Sequence, residues 1–188
     1  IGNWTSGIRR GRSLGSLFYF NQRINLADEL LDIVNDEDII TGQEMRSAVH
    51  QLGLQHRGVH VFLFTSDGRM LVQKRSADRA ASPSALDCSV SEHVKAGESY
   101  IEAAMRGARE ELGLDGIQVK RLVKFRMNYG VNDNEISTLY EGMVHPADVE
   151  FDPIEIEAIH YFRLDELWDL VNGGEVKFCG WFVELLNW

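Results

Sequence analysis

The chain has 188 residues, 44% of them hydrophobic and 26% charged, with a formal net charge of −10. That length supports one sizeable core, while the charge argues against nonspecific nucleic-acid binding, which relies on Lys and Arg neutralising phosphates. No apolar run approaches the roughly 20 residues of a membrane helix, and Cys88 and Cys179 are too few and too far apart for a disulfide framework or a zinc site, so a cytoplasmic protein with no membrane partner is expected.

Residues 1–26 are read as an N-terminal arm, truncated or processed. It carries Arg9, Arg10, Arg12 and Arg23 among Gly and Ser and no acidic residue up to Ile24. That composition is compatible with a transit peptide, but a hydrophobic anchor formed by Leu17, Phe18, Tyr19 and Phe20 is preferred. One domain is expected over 27–188. Leu30, Leu31, Ile33 and Val34, the Asn35–Asp38 turn, then Ile39 and Ile40 predict a short hairpin. A helix is expected over 44–51. Strands are expected over 59–65 and 70–74, joined by Ser66-Asp67-Gly68-Arg69, a good turn sequence. A loop over 82–87 feeds a strand over 87–90.

The clearest helix lies over 100–112, where Ile101, Ala104, Met105, Ala108 and Leu112 recur at three- and four-residue steps. Gly97, Glu98 and Ser99 start it and Gly113 stops it. Strands follow over 117–127 and 136–144 around a loop over 128–135, then a strand over 154–162 and helices over 164–171 and 181–186. Intermixed strands and helices predict an α+β fold with helices on both faces of a sheet.

The chemistry concentrates in residues 92–114, EHVKAGESYIEAAMRGAREELGL. Helical spacing puts positions 107, 110 and 111 on one face, and carboxylates there suit Mg2+, a hard cation that prefers oxygen ligands. The bland reading is an acidic, solvated helix face. The order of residues goes further, because the segment resembles the signature of the Nudix hydrolase family, G-x5-E-x7-R-E-U-x-E-E-x-G-U with U aliphatic. Glu98, Arg106, Ala108, Glu110, Glu111, Gly113 and Leu114 fall on it. Two positions depart from it: Glu92 stands at the opening Gly, and Gly107 stands where the pattern has the Glu after Arg. The stretch from Ala27 to Phe64 resembles the opening of the branch that includes isopentenyl diphosphate isomerase and its hydrolase relatives, and QKRS at 73–76 is similar to a family segment that often reads QRRS.

This resemblance implies a Nudix α/β/α sandwich with a mixed sheet between helices. It also implies Mg2+-dependent (alternatively Mn2+-dependent) attack of water on a diphosphate linkage in a small phosphorylated substrate, a nucleoside diphosphate or a related derivative. Glu110 and Glu111 are the implied metal ligands, Glu98 supports the loop and helix or a second metal, and Arg106 orients the carboxylates. The catalytic candidates are Glu111, Glu110, Arg106 and Glu92. Gly107 lacks a carboxylate that is a ligand or base in some members and costs roughly 1 kcal/mol relative to Ala in a helix, with no evident structural benefit. A base is then expected from Glu92, or remotely from Glu155 or Glu157, whose plainer reading is exposed edge-strand residues. Arg75 is a candidate phosphate contact; Tyr129, with Phe125 and Tyr161, is a candidate for stacking a base. A homodimer is compatible with the sequence.

Two other readings stand beside hydrolysis. A catalytically impaired Nudix domain would bind a phosphorylated ligand or a protein partner. An isopentenyl diphosphate isomerase would use His50, His56 and His93 as a metal-binding trio, but Ser91 stands where the isomerase has its proton-transferring Cys, and Cys88 lies three residues earlier, on the opposite face of a strand. Each His taken alone reads as a packed or surface residue.

Overall fold

The computed structural model describes residues 28–79 and 81–188, so the expected arm over 1–26 lies outside the described residues. The hairpin forms as expected from β1 (Leu30–Val34) and β2 (Ile40–Met45). The Asn35 side chain closes the turn by accepting from the backbone N–H groups of Glu37 and Ile39 at 3.0 and 2.9 Å. Because β2 pairs with β1 through Met45, helix α1 begins only at Arg46 and runs to Leu52.

The central strand is β3 (His56–Phe64). It pairs in parallel with β8 (Asn134–Met143) and antiparallel with β4 (Met70–Arg75) and β6 (Val90–His93). β4 also carries β5 (Leu86–Asp87) and β9 (Ile156–Phe162), and β7 (Val119–Asn128) lies antiparallel outside β8. The result is a seven-stranded mixed sheet. Three of the shifts from the expected boundaries bear on the site. The strand expected over 87–90 divides into β5 and β6. β9 begins at Ile156, which leaves Glu155 in the preceding turn. β8 begins at Asn134 because Asn128 pairs with Asn134, in register and through a side-chain hydrogen bond of 2.7 Å, so Glu135 belongs to a strand.

Alternation along β3 and β4 builds one core on each face of the sheet. Val59, Val61, Leu63 and Leu71 pack with Ala103, Ala104, Ala108 and Leu112 of helix α2 (Tyr100–Leu112). On the other face Phe62, Met70, Val72 and Leu139 meet Leu167 of α3 (Leu164–Gly173) and Phe182 and Leu185 of α4 (Gly180–Asn187). This is the expected sandwich of a mixed sheet between helices. Among the described residues no helix is long and apolar enough to cross a membrane.

Helix α2 has the bounds that its periodicity predicts. Ser99 caps it reciprocally with Glu102, and Gly113, at φ 70°, ends it in the left-handed conformation with its N–H turned back to Ala108 and Arg109. Ser99→Ala is expected to cost about 1 kcal/mol, read as a fall of roughly 2–4 °C in the thermal midpoint.

Candidate active site

Arg106 organises the signature. Its Nε donates to Glu98 Oε1 at 2.9 Å, its Nη1 to Glu92 Oε2 at 2.9 Å and more weakly to Glu110 Oε2 at 3.4 Å, and its Nη2 to the His93 carbonyl at 2.8 Å. One guanidinium thereby joins α2, β6 and the loop between them. Burial disfavours its charge, but Glu98 and Glu92 outweigh that and raise its pKa further. Glu98 also accepts from the Lys95 N–H at 3.0 Å, and Asp32 accepts from Gly97 at 3.0 Å, which fixes the loop. Burial opposes ionisation of Glu98, yet Arg106 and that N–H hold its carboxyl below the usual range.

A second group of carboxylates lies behind this one. Oxygens of Glu92, Glu111 and Glu155 lie within 4.8 Å of one another. Gln73 Nε2 donates to Glu111 at 2.9 Å, and Arg79 pairs with Glu155 at 3.0 Å. Glu111 is only 4% exposed. Burial first, and then the negative charges of Glu92 and Glu155, push its carboxyl well above the usual range. Burial raises Glu92 as well, against the pull of Arg106. Three oxygen donors with more negative charge than the protein neutralises fit a hard divalent cation.

The sign of the pH dependence follows. A carboxyl whose folded pKa lies above its unfolded value stabilises the fold while protonated, and that contribution is lost as pH rises above the unfolded value of 4.5. A metal that displaces the shared protons should act in the opposite sense. Mg2+-dependent thermal stabilisation is therefore expected to grow between about pH 5 and 8, and a shift that is flat or shrinks over that window would remove this picture of the cluster.

The sequence candidates divide between these groups. Glu92 and Glu111 enter the carboxylate trio, in which Glu111 is the buried member, and Glu155 joins them from the turn before β9. Glu110 leans on Arg106 with a 37% exposed side chain, Glu98 braces the loop, and Glu157 pairs with Lys74 at 2.7 Å on the surface. The reading of Gly107 as without structural benefit needs correction. A Cβ at Gly107 would lie 2.5 Å from Val90 Cγ1 and 2.8 Å from Glu92 Cγ, so β6 approaches the helix only because position 107 is bare.

His50, His56 and His93 do come together, with ring centroids 5.0 to 5.2 Å apart. Asp133 and Glu135 complete the group, and sequence reasoning missed both. His56 Nε2 is buried without a hydrogen bond, 3.5 Å from Glu135 Oε1, and His93 Nε2 lies 3.7 Å from the same oxygen. His50 Nε2 lies 3.2 Å from His93 Nε2, and His50 Nδ1 lies 3.4 Å from the buried Asp133 Oδ1. Burial pushes His93 down to about 3. Burial opposes charge on His56 and Glu135 too, but their mutual attraction raises the former and lowers the latter to about 2. Imidazole nitrogens aimed at one another beside carboxylates make a donor set for a transition metal. Gly58 gives Glu135 its place, since a Cβ there would lie 1.9 Å from Glu135 Oε2.

Both groups border one cleft of about 620 Å3. Arg75 lines it, but its Nη1 donates to Asp87 at 2.8 Å and its guanidinium lies 5.7 Å from the Trp181 ring. Tyr129 also lines it, bonded to His60 Nε2 at 2.7 Å and edge-on to Trp181. Trp181 donates to Asp87 at 2.6 Å. Trp181 and His60 are site residues that nothing in their sequence neighbourhoods marks, whereas Gln73 opens the QKRS segment, in which only Arg75 is singled out. Phe125 and Tyr161 pack against the two cores instead. Ser91 faces the cleft beside His60 and Asp87, at 3.1 and 3.2 Å, whereas Cys88 is wholly buried in the core and its thiol is pushed well up by that burial.

The chain is similar in sequence and fold to known proteins. The family description "NUDIX domain" matches residues 54–179. An uncharacterized Nudix hydrolase of Streptomyces coelicolor is 38% identical over 157 residues, covering 79% of this chain and 85% of its own. An isopentenyl-diphosphate delta-isomerase of Serratia proteamaculans is 28% identical over 164 residues, covering 85% and 90%. A crystal structure of a Deinococcus radiodurans protein superposes with a TM-score of 0.73 at 30% identity, covering 85% of this chain and 98% of that one.

Proposed function

The chain belongs to the Nudix family, and from that premise we propose that it is a Mg2+-dependent hydrolase that cleaves the diphosphate linkage of a nucleoside diphosphate or a related derivative. The observation that carries this is the trio of Glu92, buried Glu111 and Glu155 beside a cleft with both guanidinium and aromatic walls. Glu92, Glu111 and Glu155 would hold the metal on its protein side, with Glu110 and Glu98 kept close by Arg106. When bound, Mg2+ polarises the phosphoryl oxygens and acidifies the attacking water. Gln73 fixes the Glu111 carboxylate, and Arg106 offsets the repulsion between Glu92 and its neighbours. Glu92 and Glu155 line the cleft in front of Glu111, so one of these two takes the proton from water. Arg75 and Arg79 supply positive charge to the phosphates, and Tyr129 and Trp181 offer flat surfaces for a base.

A second reading, isomerisation of an isoprenoid diphosphate, is favoured by the group of His50, His56, His93 and Glu135, which suits Mn2+ or another transition metal. Ser91 in the cleft and Cys88 sealed in the core weigh against it, because neither supplies a thiolate to the site. The two readings separate on products. With Mg2+ and a panel of nucleoside diphosphates, nucleotide sugars and isoprenoid diphosphates, hydrolysis yields a nucleoside monophosphate with phosphate from a nucleoside diphosphate and with a sugar phosphate from a nucleotide sugar. An intact isoprenoid diphosphate with a moved double bond would establish the isomerase instead, and ligand stabilisation with no product would indicate a binding domain.

A further inference from the structure

The two positions at which the chain departs from the Nudix pattern touch one another. Glu92 sits on β6, opposite Val59 of β3, and Val90 sits two residues earlier on the same strand, opposite Val61. The period of two sends both side chains to one face of the strand. That face meets α2 at Gly107, where a Cβ would lie 2.8 Å from Glu92 Cγ and 2.5 Å from Val90 Cγ1. Val90 is fully buried and β-branched, so it has little freedom to retreat. A side chain at 107 and the present course of the Glu92 side chain therefore exclude one another.

We infer that Glu92 and Gly107 form one exchanged unit, in which the helix gives up its carboxylate at 107 so that β6 delivers an equivalent one, from Glu92, into the metal-facing group. The delivered carboxylate arrives within 4.8 Å of Glu111 and Glu155 and is held there by Arg106 Nη1 at 2.9 Å. The substitutions are then not two separate losses. One carboxylate takes the place of another, supplied by the strand at Glu92 instead of by the helix at 107, while Glu111 still comes from α2. The carboxylate half of this inference rests on the metal-bearing reading of the site, whereas the packing half stands on contact geometry alone.

Thermal midpoints and Mg2+-dependent midpoint shifts, neither of which requires turnover, test both halves in wild type, Glu92→Ala, Gly107→Ala, Gly107→Glu and Glu92→Ala/Gly107→Glu. The Val90 contact is present in both backgrounds and cancels in a double-mutant comparison. Gly107→Ala and Gly107→Glu should lower the midpoint clearly in wild type, and Gly107→Glu should lower it measurably less once Glu92 is Ala, the remainder coming from the Val90 contact. Glu92→Ala should weaken Mg2+ by about tenfold or more, and adding Gly107→Glu should return it to within a few-fold of wild type. Gly107→Glu alone should bring no gain in Mg2+ affinity. Additive effects, or a Gly107→Glu protein as stable as wild type that binds Mg2+ more tightly, would overturn the exchange. A wild type with no Mg2+ response at any pH would instead remove the functional reading and the carboxylate half with it. A wild type that binds Mg2+ with additive substitutions removes this inference alone.

Discussion

Glu111→Gln is expected to lower diphosphate hydrolysis by at least about 100-fold and, at the same time, to raise the thermal midpoint of the metal-free protein. Both effects come from the same geometry. Glu111 is held by Gln73 within a few ångströms of two further carboxylates, and burial together with those charges raises its pKa well above the ordinary range. The amide keeps the shape and loses the charge. It cannot ionise to meet a divalent cation, but it no longer opposes Glu92 and Glu155, and it keeps a hydrogen-bonding oxygen for Gln73. The gain in the metal-free protein should be about 1 kcal/mol, or roughly 2–4 °C, and Mg2+ should add little to it. Loss of activity with a matching loss of stability would instead mean that the carboxylate supports the fold and not the chemistry.

Arg106→Ala is expected to be the most destabilising single change in the site. Arg106 is 8% exposed and joins Glu98, Glu92, Glu110 and the His93 carbonyl. Its removal leaves acceptors on two elements without their common donor and places uncompensated carboxylates beside the already crowded trio. Breaking a buried ion pair from one side costs about 3–5 kcal/mol. The carboxylates here keep some contact with water, with side-chain exposures of 17, 22 and 37%, so the lower end applies. Against the roughly 2–4 °C per kcal/mol of a chain this size, the midpoint should fall by about 6–12 °C. Arg106→Lys, which keeps charge without the fork, should fall between the two. A protein as stable with Ala as with Arg would mean that the guanidinium only steers substrate.

What the sequence made legible is what local patterning encodes. Helix α2 was readable to the residue because its apolar period, its Ser99 cap and its Gly113 stop agree, and the signature placed Arg106 and Glu111 on it and Glu98 in the loop before it. Glu92 drew notice as a departure from the signature, but its partner relation with Gly107 was not readable, since contact between a strand and a helix is set by packing across sequence. Glu135 was assigned to a loop because Asn134 and Glu135 carry no strand signal. It is the parallel register with His56 that makes it a buried strand residue beside the histidines. Trp181 and His60 reach the cleft from different elements, α4 and β3, and only the fold brings them to Tyr129. Glu155 was considered on an edge strand, and its place in the trio depends instead on the turn that ends before Ile156.

The central claim is attack of water on a diphosphate, and the most direct test is to follow a nucleoside diphosphate with Mg2+ in 18O-labelled water by 31P NMR. The account predicts Mg2+-dependent cleavage in which each event places one 18O atom in a phosphate product, abolished by a chelator and by Glu111→Gln. No cleavage across the panel of diphosphates, or cleavage that leaves every phosphate product unlabelled, would contradict it.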